Sequence, residues 1–270
     1  MQPTPEQGHD PIPLWSASMN ENDVMSKSTS RREILRGAGA MAGASLVTVG
    51  ASLSSASFAQ AQEPPSKGVW KFAECALLLV DYQPEMLRAV RSETSSALIE
   101  LNVRFLIRAA KAFGVPVILS TVGVGGKVNS QTVQAIADEL PGTTAIDRST
   151  MDAWEDVNIR SAVEKTGRKR LVFAALWTEI CLAYQIIDAL RDGYEAMFIV
   201  DAVGGLSQVA HETAIRRLIQ AGAIPNTSRA MIDEWFRDWK TPQGTEYRAI
   251  SAWYGSELQK LAGASGSMGG

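Results

Sequence analysis

Leu171-Val172-Phe173-Ala174-Ala175-Leu176-Trp177-Thr178-Glu179-Ile180-Cys181 joins two kinds of segment. Residues 171–176 form a short, unbroken apolar run, the pattern of a strand covered on both faces. Residues 182–190 carry a helix-like pattern, so Cys181 falls in the opening turn of a helix that follows a buried strand. With Thr178 as N-cap, Cys181 takes the third helical position, near unpaired N–H groups and the positive end of the helix dipole. Both favour the thiolate, the form that attacks a carbonyl carbon.

Working outward, the same alternation recurs. Cys75–Val80 is another apolar run, followed by helix-spaced Leu98, Leu101, Phe105, Ile107 and Ala110, ending at Gly114. Further strands are predicted at 115–120, 144–146, 195–200 and 223–226, with helices at 132–140, 155–166 and 207–221 between them. Helix-terminal glycines followed by apolar runs are what βαβ units require. The expected fold class is α/β: a doubly wound, Rossmann-like, parallel six-stranded sheet with helices on both faces, three layers in all. After Asn226, Ile232, Trp235, Phe236 and Trp239 fall at helical spacing, and a last helix is expected at 246–261 with Ile250, Trp253, Tyr254 and Leu258. Such faces either pack on the domain core or anchor a neighbouring subunit. Residues 262–270 are Gly/Ser-rich and are expected to be a disordered tail.

The first 61 residues have a different character. Residues 1–29 are expected to be a disordered extension. Residues 30–61 begin Ser-Arg-Arg-Glu-Ile-Leu-Arg, continue through an Ala/Gly/Ser-rich stretch, and end at Ala59-Gln60-Ala61, a small-residue cleavage spacing. This resembles a twin-arginine export signal, which implies the Tat machinery as a partner during secretion and a periplasmic or secreted destination. The stretch is too poor in large aliphatics for a stable membrane anchor. Formal net charge is −3, so nothing indicates a nucleic-acid surface. The two cysteines are predicted free, because Cys75 opens its strand at the amino edge of the sheet while Cys181 lies at the carboxyl edge. A six-residue strand spans about 20 Å, and a disulfide requires Cα atoms within about 7 Å.

In an open α/β sheet the loops at the carboxyl edge form the active crevice. Asp81, Arg148 and Cys181 all fall there, after the first, third and fourth predicted strands. Asp81 is placed to take the thiol proton and return it to a leaving amine, and Arg148 to hold positive charge against the thiolate. N–H groups near Trp177 and Cys181 are placed to bind an oxyanion. Gln83, Trp154, Thr178 and Glu179 are candidate pocket residues. His211 is expected to be a hydrogen-bonded structural histidine.

Leu77-Leu78-Leu79-Val80-Asp81-Tyr82-Gln83 resembles the first-strand motif of the isochorismatase-like cysteine hydrolase superfamily, and Ala175-Leu176-Trp177-Thr178-Glu179-Ile180-Cys181 its nucleophile motif. Arg148 with Trp154 resembles the usual Lys and its downstream aromatic, and Asp201-Ala202 also fits. The Trp-rich end resembles the YcaC-related branch. The resemblance implies an Asp–Lys/Arg–Cys triad, a non-proline cis peptide between Leu176 and Trp177, a small-molecule substrate and homo-oligomers. The expected activity is metal-independent hydrolysis of a small amide-like C–N bond through a thioester on Cys181. Vinyl ether hydrolysis and an inactive ligand-binding or structural oligomer are the alternatives. Arg148 departs from the usual Lys and, being permanently charged, serves only as an electrostatic partner. Nicotinamidase relatives build a metal site on an Asp-x-His pair. The corresponding residues 121–129 contain no histidine, so no metal and no cofactor is expected.

Overall fold

The computed structural model describes residues 68–267. The extension at 1–29, the export segment at 30–61 and the last three residues lie outside the described residues. Six parallel strands, β1 Cys75–Val80, β2 Val117–Val122, β3 Ile146–Arg148, β4 Arg170–Ala175, β5 Glu195–Ile199 and β6 Ile224–Asn226, form one sheet. Their order is β3-β2-β1-β4-β5-β6, the doubly wound arrangement. The chain reverses direction of winding between β1 and β4, which pair from Cys75↔Arg170 to Val80↔Ala175. A crevice opens above that junction.

Alternation along β1 shows why every residue of the strand is apolar. Leu77 and Leu79 face a layer made by α2 Ser96–Phe113, α7 Ser228–Phe236 and α8 Pro242–Ser267. Ala76, Leu78 and Val80 face the opposite layer, made by α4 Val157–Thr166, α5 Ala183–Arg191 and α6 Gln208–Ala221. With both faces covered, no position of β1 is left for a polar side chain. Two further short helices, α1 Pro84–Ala89 and α3 Gln134–Ala137, lie in the loops. Serine or aspartate side chains cap α2, α4 and α6: Ser95 accepts from the Leu98 N–H, Asp156 from Asn158 and Ile159, and Ser207 from Ala210.

Most boundaries shift by one to a few residues from expectation, and three of the shifts are informative. The second strand starts two residues later than predicted, at Val117, because Pro116 has no N–H to give to a ladder. The third strand is Ile146–Arg148, so Arg148 ends the strand instead of following it. The helix α8 continues to Ser267, through most of the tail expected to be disordered.

The C-terminal aromatics fold back on the chain's own core. Phe105 of α2 stacks on Tyr254 with ring centroids 4.1 Å apart, Phe236 stacks on Tyr247 at 4.4 Å, and Tyr254 Oη donates to Asn102 Oδ1 at 2.5 Å. Trp253 lies half-buried under the Arg108 guanidinium, 3.8 Å from its ring centroid. Among the described residues no helix is long and apolar enough to cross a membrane.

Candidate active site

Asp81 leaves β1 with φ of +64°, a left-handed geometry that aspartate tolerates better than most side chains. Its N–H donates to Ser120 O (3.0 Å) and its carbonyl accepts from the Gln83 N–H (2.8 Å), so the carboxylate is fixed at the top of the strand. Arg148 reaches across β2 from β3 and donates from both terminal nitrogens to the two carboxylate oxygens, each at 2.7 Å. Nη1 also donates to Ser120 Oγ and Thr121 O, both at 3.2 Å. Both side chains are fully buried. A lysine has no fork with which to form this two-point contact. Burial works against the guanidinium charge, but the hydrogen bonds and charge of Asp81 outweigh it and raise the arginine pKa.

Cys181 sits in a wide, five-residue turn, Thr178–Leu182, that precedes α5. Thr178 is not the N-cap; Trp177 holds that position without a side-chain bond, and Thr178 Oγ1 meets His211 Nδ1 at 2.8 Å. The residue is 4% exposed, and its thiol faces a cavity. The surroundings of the sulfur work against the thiolate that the helix N-terminus was expected to favour. Burial raises the thiol pKa far above its ordinary value, and the charge and hydrogen bonding of Asp81 push the same way. Arg148 and the Trp177 backbone N–H favour the thiolate but do not compensate, since the guanidinium is already committed to Asp81. The balance favours the protonated thiol, with Asp81 beside it.

Leu176 and Trp177 are joined by the expected cis peptide. The Leu176 N–H donates to Val80 O (3.1 Å), and the Trp177 indole donates to Met86 O (2.9 Å). The cavity in front of Cys181 measures about 570 Å³, the size of a small-molecule site. Its walls are mainly Met86, Val122, Val128, Met151, Trp177 and Ile180. Asn129, Asp147, Arg148, Ser149 and Asp156 supply the polar side chains.

The structure thus brings Asp81, Arg148, Cys181 and Trp177 together, but the four pocket candidates stand apart from the cavity. Gln83 is buried and clamps β2 to the following loop: Nε2 donates to Val122 O and Ser130 O, and Oε1 accepts from the Val122 N–H. Trp154 packs beneath α5 and donates its indole N–H to Asp192 at 2.8 Å. Thr178 is turned to His211. Glu179 Oε1 accepts from the Leu206 N–H at 2.9 Å, while Oε2 is buried without a hydrogen-bond partner. His211 is buried and structural; its Nε2 lies 3.2 Å from Glu93, out of line for a hydrogen bond.

The wall residues that sequence reasoning missed lie mostly in the loop after β2 and at the end of β3. The rule that carboxyl-edge loops form the crevice pointed to both segments. Their valines and methionines, however, carry no chemical signal of their own. Asp147 organises the loop after β2, accepting from Thr121 Oγ1 (3.0 Å) and from the N–H groups of Val124 (3.1 Å) and Gly125 (2.8 Å). Slight burial opposes its charge, yet these donors hold its carboxyl below the usual range. Among the described residues, no group of three or more His, Cys, Asp or Glu is placed to hold a metal ion.

Residues 75–230 match the isochorismatase domain. The probable hydrolase YcaC of Escherichia coli (strain K12) is 33% identical over 168 residues, covering 62% of this chain and 80% of that protein. Its crystal structure, described as an octameric hydrolase of unknown specificity, superposes with a TM-score of 0.64 at 28% identity over 75% of this chain and 99% of that one. YcaC from Pseudomonas aeruginosa, solved with hexane-2,5-diol and covalent acrylamide, also gives a TM-score of 0.64, at 27% identity over 73% of this chain and 98% of that one. The shared sheet and helices over that span, together with the domain match, make this chain a member of the isochorismatase family.

Proposed function

We infer that this protein is a metal-independent cysteine hydrolase that cleaves a small amide-like C–N bond through a thioester on Cys181. The observation that carries this reading is the juxtaposition of a thiol, a buried carboxylate and a cavity. Asp81 acts on Cys181 by charge and hydrogen bond, and Cys181 lines the pocket. As Sγ bonds to the carbonyl carbon, its proton passes to Asp81 and the C=O electron pair moves onto oxygen. Collapse of that intermediate breaks the C–N bond, and the nitrogen leaves with the proton from Asp81. Water then adds to the thioester, releases the acid and restores the thiol. Arg148 stays charged throughout and orients Asp81 without exchanging a proton. The covalent acrylamide in the Pseudomonas aeruginosa relative is consistent with a reactive nucleophile in this fold. Turnover of a panel of primary amides and carbamoyl compounds, with Cys181→Ala as blank, tests the assignment. Full activity in that variant would refute it.

The protonated, buried thiol favours one second reading, an inactive ligand-binding or structural oligomer with the same fold. Binding of panel members without any release of ammonia would establish it. Hydrolysis of a vinyl ether proceeds by protonation and gives a nucleophilic cysteine no role, so Cys181 counts against that route. The octameric Escherichia coli relative supports a homo-oligomer here, checked by light scattering. Arg31 and Arg32 support Tat export to the periplasm or beyond. Replacing both by lysine should leave the protein in the cytoplasmic fraction.

A further inference from the structure

The cavity walls specify the charge of what enters. We propose that the pocket admits uncharged amides bearing an apolar substituent and rejects amides that carry a carboxylate. The inference rests on the hydrolase reading above and deepens it. Among the described residues that line the cavity, Arg148 is the only cation, and both of its terminal nitrogens are held by Asp81 at 2.7 Å. That pair is neutral as a unit. Lys127, between the lining residues Gly126 and Val128, is exposed and is not itself part of the lining.

Two carboxylates remain. Asp147 is tied to the N–H groups of Val124 and Gly125, and Asp156 caps α4 through Asn158 and Ile159. Both line the cavity, so its uncompensated charge is negative. Asn129 and Ser149 are the neutral polar residues of the lining, and the Asn129 amide already donates to Val122 O at 3.0 Å. The remaining surface is largely Met86, Val122, Val128, Met151, Trp177 and Ile180, which offer an anion no hydrogen bond to replace its hydration. A substrate carboxylate would lose water, find no free cation and meet two like charges. An apolar, neutral amide meets none of these costs. The same field works in the forward direction once the C–N bond is cut, because the acid product is an anion and is repelled from the site that made it. A vinyl ether substrate bearing carboxylates would face the same obstacle.

Alkylation of Cys181 separates this inference from the hydrolase reading. Iodoacetamide and iodoacetate present the same reactive carbon with neutral and negative tails. Their rates at Cys181 would be followed by peptide mass spectrometry at pH 9 and low salt, each normalised to glutathione. The expected result is a preference for iodoacetamide of about tenfold or more, shrinking as salt is added. Val128 lines the mouth and is 74% exposed, so Val128→Lys leaves the core intact. It should raise the iodoacetate rate at least about threefold relative to iodoacetamide. A normalised ratio near one in the wild type overturns the proposal, as does a ratio that Val128→Lys fails to move. Turnover of pentanamide and of succinamate, measured alongside, completes the distinction. Labelling preference without turnover of any member of the amide and carbamoyl panel sinks the hydrolase reading and leaves charge selection standing. Equal turnover of both, with a labelling ratio near one, sinks charge selection alone.

Discussion

Cys75 lies in β1 and Cys181 in the turn that follows its neighbour β4; both are buried, but in different company. Cys75 opens β1 at the amino edge, is fully buried among core side chains, and donates its thiol to Lys71 O at 3.3 Å. Burial pushes its pKa up to about 12, with Trp235 and Arg170 acting in the opposite direction. Cys181 follows β4 at the carboxyl edge, where burial and Asp81 also keep the thiol protonated. Neither sulfur is an exposed thiolate. The difference is that Cys181 has a carboxylate to receive its proton and a cavity from which an electrophile can approach. Burial alone silences a thiol; burial beside a base stores one for use.

The charged groups repeat the contrast. At the amino edge, Arg170 pairs with Glu74 at 2.5 Å and Glu195 at 3.4 Å, at sites partly open to water. At the carboxyl edge, Asp81 and Arg148 are both fully buried. An exposed pair contributes little to stability, whereas breaking a buried one leaves a naked charge in a dry site.

Substitutions at the two edges should therefore diverge. Cys181→Ala is expected to lower kcat/KM for a cleaved amide by about 10³-fold or more, whereas Cys75→Ala leaves it within about twofold. Cys75→Ala should instead cost about 1–2 kcal/mol of stability through lost packing, measured by urea denaturation. Equal activity losses in the two variants would break the comparison. Asp81→Ala should destabilise the fold by about 3–5 kcal/mol, because Arg148 is left buried and unpaired, while Glu74→Ala costs about 1 kcal/mol or less. Similar losses at the two sites would mean that the carboxyl-edge pair is solvated.

Both raised thiols also predict a pH effect. Above about pH 8.5 an unfolded chain releases thiol protons that the folded chain retains. Stability contributed by the protonated thiols is thus complete below that pH and falls as pH rises toward the folded-state values. The slope is at most about 1.4 kcal/mol per pH unit for each cysteine. Denaturation midpoints between pH 7 and 10, compared with those of the Cys75→Ala and Cys181→Ala variants, would sharpen the contrast by showing which thiol contributes. A small effect is expected at Trp154→Phe, which removes the bond to Asp192. It should cost about 1 kcal/mol and leave kcat/KM unchanged, as befits a residue outside the cavity.

The succession of strands and the layer structure were legible because both faces of the sheet are covered, which turns the central strands into apolar runs, several of them preceded by helix-ending glycines. Edges were less legible. Pro116 shifted β2, and the three-residue β3 carried too little pattern to show that Arg148 lies within it. At the site, Asp81 and Cys181 announced themselves by residue type at strand ends. The protonation of Cys181 did not, because it depends on the depth of burial and on Arg148 being occupied by Asp81. Gln83, Trp154, Thr178 and Glu179 adjoin the motifs in sequence, but their side chains satisfy backbone and core partners instead of facing the cavity. Val128, Met151 and Ile180 do face it, and nothing in an isolated apolar side chain says so.

Rapid-quench mass spectrometry during turnover of the best amide addresses the central claim directly. Cys181 should carry an added acyl group at early times, Cys75 should carry none, and the adduct should decay as acid accumulates. Steady turnover with no acyl group on Cys181, or with the group on Cys75, would contradict the account.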